Sequence, residues 1–346
     1  MPYGDIQMKT KTATIEQFLL GKINSGEFPP RKQIPSQFKL MQQFHCSRII
    51  VQRALKHLID AGLLESDRGR GTFVRQDCKN KALKEIVIIS EFTDNSPDFP
   101  FSEMLFNLNT GDIPVRWVDQ KFLDRNTESF FRPGHAVIWL LPKENQIMLM
   151  DNLKRRGIPQ LLINRKYDKF NYICTDAASS ISEGLDRIIA DGEKKIALVS
   201  RLPNAGAAFI PERLIAFYEQ CFIRNLQIPE KWIFKRDFKD MARDSAEMGQ
   251  AFFSDKSNFP KNIFIPQEDL LTSVLLTASH HGLTLGKDYR ILVFSQGLVH
   301  PPQEGLYMLY QPMDEFRSKV EEFIRRVTDG DDTPFCIPLK TILRTN

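Results

Sequence analysis

The sequence predicts two architectures in one chain: a small α+β winged helix-turn-helix at the N-terminus, then a larger α/β body of doubly wound parallel sheets in two lobes. Three observations predict it. The first 75 residues spell three amphipathic helices and a glycine-centred hairpin, apolar strand-like runs alternate with helical ones beyond residue 85, and positive charge is unevenly shared between the two parts. Residues 1–80 hold 13 Lys/Arg against 7 Asp/Glu, a surplus of +6, whereas the rest of the chain holds 34 against 36. A basic head on a slightly acidic body fits a phosphate-binding module joined to a separate one.

In the head, Thr14-Ile15-Glu16-Gln17 reads as a capping box, and Ile15, Phe18, Leu19 and Ile23 share one helical face until Gly26 and Pro29-Pro30 stop the run. Pro35-Ser36 opens a second helix of about two turns with Phe38, Leu40, Met41 and Phe44 as its apolar positions. After the short connection His45-Cys46, Ser47 is placed to cap a third helix, where Ile50, Val51, Ala54, Leu55 and Leu58 repeat at helical spacing up to Gly62. Two helices so closely joined suggest a helix-turn-helix. Residues 63–66 and 72–75 read as strands around Asp67-Arg68-Gly69-Arg70-Gly71, which completes a winged helix.

The side chains this core leaves over point to function. Ser47, Arg48, Gln52 and Arg53 begin the third helix, in reach of base edges and phosphates of a major groove. Arg68 and Arg70 ride the hairpin tip, where Gly69 lets the backbone come close to a duplex. The head resembles GntR-type (gluconate-repressor) regulators in Ile34-Pro35-Ser36-Gln37, Cys46-Ser47-Arg48, Ala54-Leu55, Leu58, Ala61-Gly62-Leu63-Leu64 and Gly69-Arg70-Gly71-Thr72-Phe73-Val74. That resemblance covers about residues 10–75. It implies double-stranded operator DNA as a partner and carries contact roles over to Arg48, Gln52 and Gly69; with the residues read from position and charge, the expected contacts are Ser36, Ser47, Arg48, Gln52, Arg53, Arg68, Gly69 and Arg70. The sequence departs from the pattern at Phe38, where several relatives have Arg, at Gln52, where Arg is usual, and at Ile49-Ile50, where hydroxyl residues are common. Base preference should shift accordingly, since Gln pairs best with adenine and Arg with guanine.

Residues 76–84 are polar and aperiodic, a linker. Beyond them, strand-like runs at 86–89, 115–118, 136–141, 161–163, 173–174, 196–199, 233–234, 263–265 and 291–294 alternate with helical stretches. So many strands suit two similar lobes with a ligand cleft at their carboxyl ends. The body (85–346) resembles the effector-binding domain of the LacI family and its periplasmic sugar-binding cousins in Arg156-Gly157-Ile158-Pro159, Ile163-Asn164-Arg165, Lys195-Ile196-Ala197-Leu198-Val199, Glu212-Arg213, Ala216-Phe217, His281-Gly282-Leu283 and Tyr310-Gln311-Pro312. A GntR-type head on a LacI-type body is the arrangement of the arabinose-repressor subgroup.

The body resemblance and the strand ends together nominate Phe92, Trp139, Asp176, Arg213, Gln267, Glu268 and Ser295 for a sugar-like effector. Arg213 matches an arginine that reaches into the cleft, and its guanidinium fork suits adjacent hydroxyls or a carboxylate. Gln267-Glu268 falls where the family writes Asn-Asp, and Ser295 where an Asp often binds a sugar diol, so one neutral hydroxyl replaces a carboxylate there. Phe101, Trp139 and Phe209 are aromatic candidates for stacking.

No common catalytic fingerprint occurs, and His45-Cys46 and His280-His281 are adjacent pairs that point apart on a helix, so no enzyme activity, cofactor or metal is expected. The five cysteines, scattered and without C-x-x-C, read as free thiols. No run of about 18 apolar residues occurs, which predicts a cytoplasmic protein without a membrane partner. Two heads on a pseudo-palindromic operator predict a homodimer.

Overall fold

The computed structural model describes residues 11–24, 27–60, 62–67, 69–75, 83–91, 99–123, 131–132, 134–189, 192–203, 209–295, 301 and 303–345. Helices α1 (Lys11–Asn24), α2 (Gln37–Phe44) and α3 (Arg48–Asp60) precede the antiparallel hairpin of β1 (Leu64–Asp67) and β2 (Gly71–Val74). Their apolar stripes meet in one core: Ile15, Leu19 and Ile23, then Leu40, then Val51, Ala54, Leu55 and Leu58, closed by Leu64 and Val74.

Two local signals differ from expectation. Helix α1 already runs from Lys11, so Thr14 lies within it and the capping box does not mark its start. The segment before α2 pairs with the two-stranded wing through an isolated antiparallel bridge of Gln33 with Phe73: the Arg31 N–H donates to the Val74 carbonyl at 2.8 Å, Val74 N–H to the Lys32 carbonyl at 2.9 Å and Ile34 N–H to the Thr72 carbonyl at 3.0 Å. Its Arg31-Lys32-Gln33 has no alternation to announce that pairing. The other boundaries have visible causes. Ser36 caps α2, His45 leaves it at a left-handed φ of 46°, and Gly62 at φ 65° ends α3 while Leu63 N–H reaches back to Leu58.

The body contains β3 (Glu85–Ser90), α4 (Phe99–Phe106), β4 (Val115–Asp119), β5 (His135–Leu140), α5 (Ile147–Arg155), β6 (Gln160–Ile163), β7 (Asn171–Thr175), α6 (Ala177–Ile188), β8 (Ala197–Arg201) and α7 (Phe209–Ile223). It continues with β9 (Ile233–Arg236), α8 (Met241–Phe253), β10 (Asn262–Ile265), α9 (Leu271–His280), β11 (Arg290–Phe294), β12 (Leu306–Tyr310), α10 (Met313–Thr328), β13 (Cys336–Leu339) and β14 (Ile342–Arg344). Two six-stranded sheets result, of order β13-β7-β6-β5-β3-β4 and β14-β12-β11-β10-β8-β9. Contacts divide the chain into two compact units: Met1–Phe92, Asn109–Leu161 and Glu321–Pro334 in one, Thr93–Leu108, Leu162–Val320 and Phe335–Asn346 in the other.

In the first unit β3 is parallel to both β4 and β5, and its Ile86, Val87, Ile88 and Ile89 are wholly buried, as a strand covered on both faces requires. In the second unit β9, β8, β10, β11 and β12 are all parallel, and only β14 runs against its neighbour. The alternation of side chains sends Ala197, Val199, Ile263, Ile265, Ile291 and Val293 to a core with α8 and α9. It sends Leu198, Phe264, Leu292 and Phe294 to an opposite core with α6 and α7. The strand order reverses between β8 and β10, the place where open parallel sheets bind ligands beyond their carboxyl ends.

Candidate functional site

Packing commits the inward face of α3 to the core, and its outward face carries Arg48, Gln52 and Arg53, all exposed, with Ser47 exposed at the helix start. Arg48 is steadied from α2, where the Gln37 Oε1 accepts from its Nε at 3.4 Å. Ser36 is also exposed, but its hydroxyl oxygen accepts from the Lys39 N–H at 3.3 Å, so it is first a helix cap.

The wing is set by glycine geometry. Gly69 sits at φ 81° and Gly71 at φ 121°, both outside the range of ordinary side chains. Gln33 Nε2 donates to the Arg70 carbonyl at 2.7 Å, and a Cβ on Gly71 would lie only 2.3 Å from that nitrogen. Arg70 itself projects into solvent, loosely paired with Asp67 at 3.1 Å. Arg68 and Phe92 lie outside the described residues.

In the second unit, four of the predicted effector residues come together at the switch point. Arg213, 5% exposed on α7, has its guanidinium carbon 4.4 Å from the Phe209 ring centre and 4.1 Å from that of Phe294, and donates to the Pro266 carbonyl at 2.5 Å. Pro266 leads into Gln267 and Glu268 after β10, and Phe294 into Ser295 after β11. The Ser295 hydroxyl donates to Glu268 Oε2 at 3.1 Å, both residues being buried. Gln267 donates to Asp269 at 2.5 Å, and its Oε1 is buried with no hydrogen-bond partner among the described residues. Asp269 in turn accepts from Arg201 Nε at 2.7 Å at the end of β8.

The electrostatics of this cluster are unusual for an interior. Burial pulls the Arg213 guanidinium down to about 9, helped by the neighbouring Arg165 and opposed by Glu212, and leaves it charged at neutral pH. Burial also raises the Glu212 carboxyl, against the pull of Arg165 and Arg213. Among the described residues no carboxylate lies within ion-pair distance of Arg213, although buried charges are ordinarily paired. A fixed cation, a buried carboxylate, a hydroxyl and an amide oxygen form a set that can hold the hydroxyls or carboxylate of a small polar molecule.

Three nominated residues have other duties. Trp139 is wholly buried in β5, its indole N–H donating to Gln160 Oε1 at 2.9 Å, while Gln160 donates to the Met150 carbonyl; it is a core residue and presents no ring for stacking. Phe101 likewise packs edge-on against Phe316. Asp176 caps α6, accepting from the Ser179 N–H at 3.0 Å. Sequence reasoning missed Phe294, which a fully apolar strand hides, and Asp269, which follows a helix start where acids are common anyway. Among the described residues no group of His, Cys, Asp and Glu is placed to hold a metal, and no helix is long and apolar enough to cross a membrane.

Fold and side chains together define a winged-helix head on a parallel-sheet α/β body. Residues 11–74 match the family described as bacterial regulatory proteins, gntR family. The histidine utilization repressor of Pseudomonas aeruginosa is 37% identical over 79 residues, 23% of this chain and 32% of that protein. A probable fructoselysine utilization operon transcriptional repressor of Escherichia coli is 37% identical over 82 residues, 24% of this chain and 32% of its own length. The chain thus spans about a third of the length of the curated relatives it matches. A regulatory protein of the LacI family from Chloroflexus aggregans superposes with a TM-score of 0.61 at 17% identity, covering 75% of this chain and 97% of that one. A complex of the transcriptional regulator CelR with cellobiose gives 0.58 at 16% identity, covering 86% and 89%. The head is a GntR-type winged helix, and the body has the two-lobed LacI-type fold.

Proposed function

We propose that this chain is a ligand-responsive transcription regulator of the cytoplasm. Acting as a homodimer, it represses by binding operator DNA through its winged helices and senses a small polar metabolite, a sugar or a relative of one, in the body. Residues 76–84 link the two parts. The observation that carries the reading is the joining of a GntR-type head to a body whose Arg213, Gln267, Glu268 and Ser295 converge where parallel sheets take ligands. The repressor names of the relatives of the head and the cellobiose of one relative of the body agree with it.

The test uses the full chain and an operator selected from random duplexes. Aldoses, sugar acids and sugar alcohols are screened for a rise in melting temperature and for a change in operator affinity. One member is expected to shift that affinity by about 5- to 150-fold, the usual size of coupling between sites. Arg213→Ala should remove the response and leave operator binding intact. A silent panel overturns the sensing claim and leaves a body that only dimerises, turnover of a compound makes the chain an enzyme, and loss of both properties in Arg213→Ala makes that residue structural.

A further inference from the structure

We propose that Ile49 reads the methyl group of a thymine in the operator's major groove, so that part of the sequence specificity is apolar. This rests on the DNA-binding reading of the head and adds to it a base-specific contact.

The head has a well-filled core, yet two large apolar side chains stay outside it: among the described residues of the head only Phe38 and Ile49 are exposed large hydrophobics, at 65% and 70%. The two lie near the start of the paired helices, each following one partner of the Gln37–Arg48 hydrogen bond. Ile50, its sequence neighbour, packs against the core and accounts for the apolar character of only half of the Ile49-Ile50 pair. Ile49 instead shares the outward face of α3 with Gln52 and Arg53, three and four residues on, which are its direct neighbours on a helix.

That position decides what the side chain can meet. A helix that docks in the major groove presents the residues of its first turn to base edges. The one apolar feature on those edges is the thymine C5 methyl, and aliphatic side chains are its usual partners. Ile49 can neither donate nor accept a hydrogen bond, so on a polar edge it would strip water from a base without replacing it. Against a methyl it removes apolar surface from water on both sides. Its β-branched side chain is stiff in a helix, so little rotamer freedom remains to be lost on contact.

The experiment begins with selection of duplexes by the full chain from a randomised pool. Each thymine of the enriched motif is then replaced by deoxyuracil, which deletes the methyl and keeps every hydrogen-bonding group. At one thymine per half-site the replacement should weaken binding by about fourfold, the value of roughly one buried carbon. In Ile49→Ala the same replacement should have almost no effect, and in Ile49→Thr, which keeps one branch methyl, an intermediate one. The salt dependence should be equal in all three proteins, because no phosphate contact changes. Two outcomes overturn the proposal: a motif in which no thymine methyl matters, or one in which it matters equally to wild type and Ile49→Ala. If no sequence is enriched at all, the DNA-binding reading itself fails, which is a separate result. Ile49 is exposed, so folding of the variants is not at stake.

Discussion

Arg48 and Arg70 carry the same charge in different settings, and the difference is measurable. Arg48 is held by Gln37 at the start of α3, whereas Arg70 stands on the wing with its side chain 77% exposed and a weak partner in Asp67. Arg48→Ala should cost operator affinity selectively, by about 1–3 kcal/mol against a scrambled duplex, if it touches a base edge. Arg70→Ala should weaken both duplexes evenly and lower the salt slope by about 1, as loss of one phosphate contact does. Anisotropy titrations at several salt concentrations check both; an unchanged slope in Arg70→Ala removes the wing from the interface. Residues of this kind were legible because a cap, a turn and an apolar stripe fix which positions are left over. Gln267, Glu268 and Ser295 were legible because each follows a strand in an order the chain itself displays, whereas Arg213, inside α7, was nominated only by the resemblance of its surroundings to LacI-type bodies. Trp139 was not: in a parallel strand buried on both faces every position looks alike, so its inward direction leaves no trace in the sequence.

At the scale of elements, α6 gives the sharpest test of packing in the body. Gly184 on its inner face lets the helix approach β11 so closely that a Cβ would lie 2.5 Å from Leu292 Cδ1 and 2.8 Å from Cδ2. Leu292 is itself wholly buried on that side of the sheet. Gly184→Ala gains helix propensity of about 1 kcal/mol, yet overpacking costs about 1–3 kcal/mol, and the clash with a confined leucine should win. Urea unfolding should show a lower midpoint for the body at unchanged slope; a stabilised variant would mean that Leu292 can turn aside. Four parallel strands of this sheet, β8, β9, β10 and β11, were visible as short apolar runs such as Ile263–Ile265 and Ile291–Phe294, whereas β12 (Leu306–Tyr310) was not. Nor were the strands at the end of the chain. β13 carries Pro338, tolerable because it ends its sheet, and β14 is short, half-exposed and antiparallel, so neither shows the signature of a buried parallel strand.

For the whole molecule, the proposed repressor needs two heads held together on a two-fold operator, and the proposal gives the body the surface that holds them. Helix α7 offers one: beside its buried residues it exposes Ile215, Tyr218, Phe222 and Ile223, at 59%, 36%, 84% and 66%. Their spacing of three, four and one residues makes a continuous stripe along the helix. An apolar stripe of that length is out of place on a monomer and suits the dry centre of an interface between copies of this chain. Phe222→Glu puts a charge on its most exposed member without touching the core, so the fold should survive, as circular dichroism would confirm. Sedimentation velocity should then report monomer for the variant and the proposed dimer for the wild type. Operator affinity should fall by about a hundredfold or more, because each head then binds without the effective concentration its twin supplies. The two readouts must move together: a variant that stays dimeric and binds the operator as before would show that another face joins the copies, whereas a monomer with undiminished affinity would show that one head suffices.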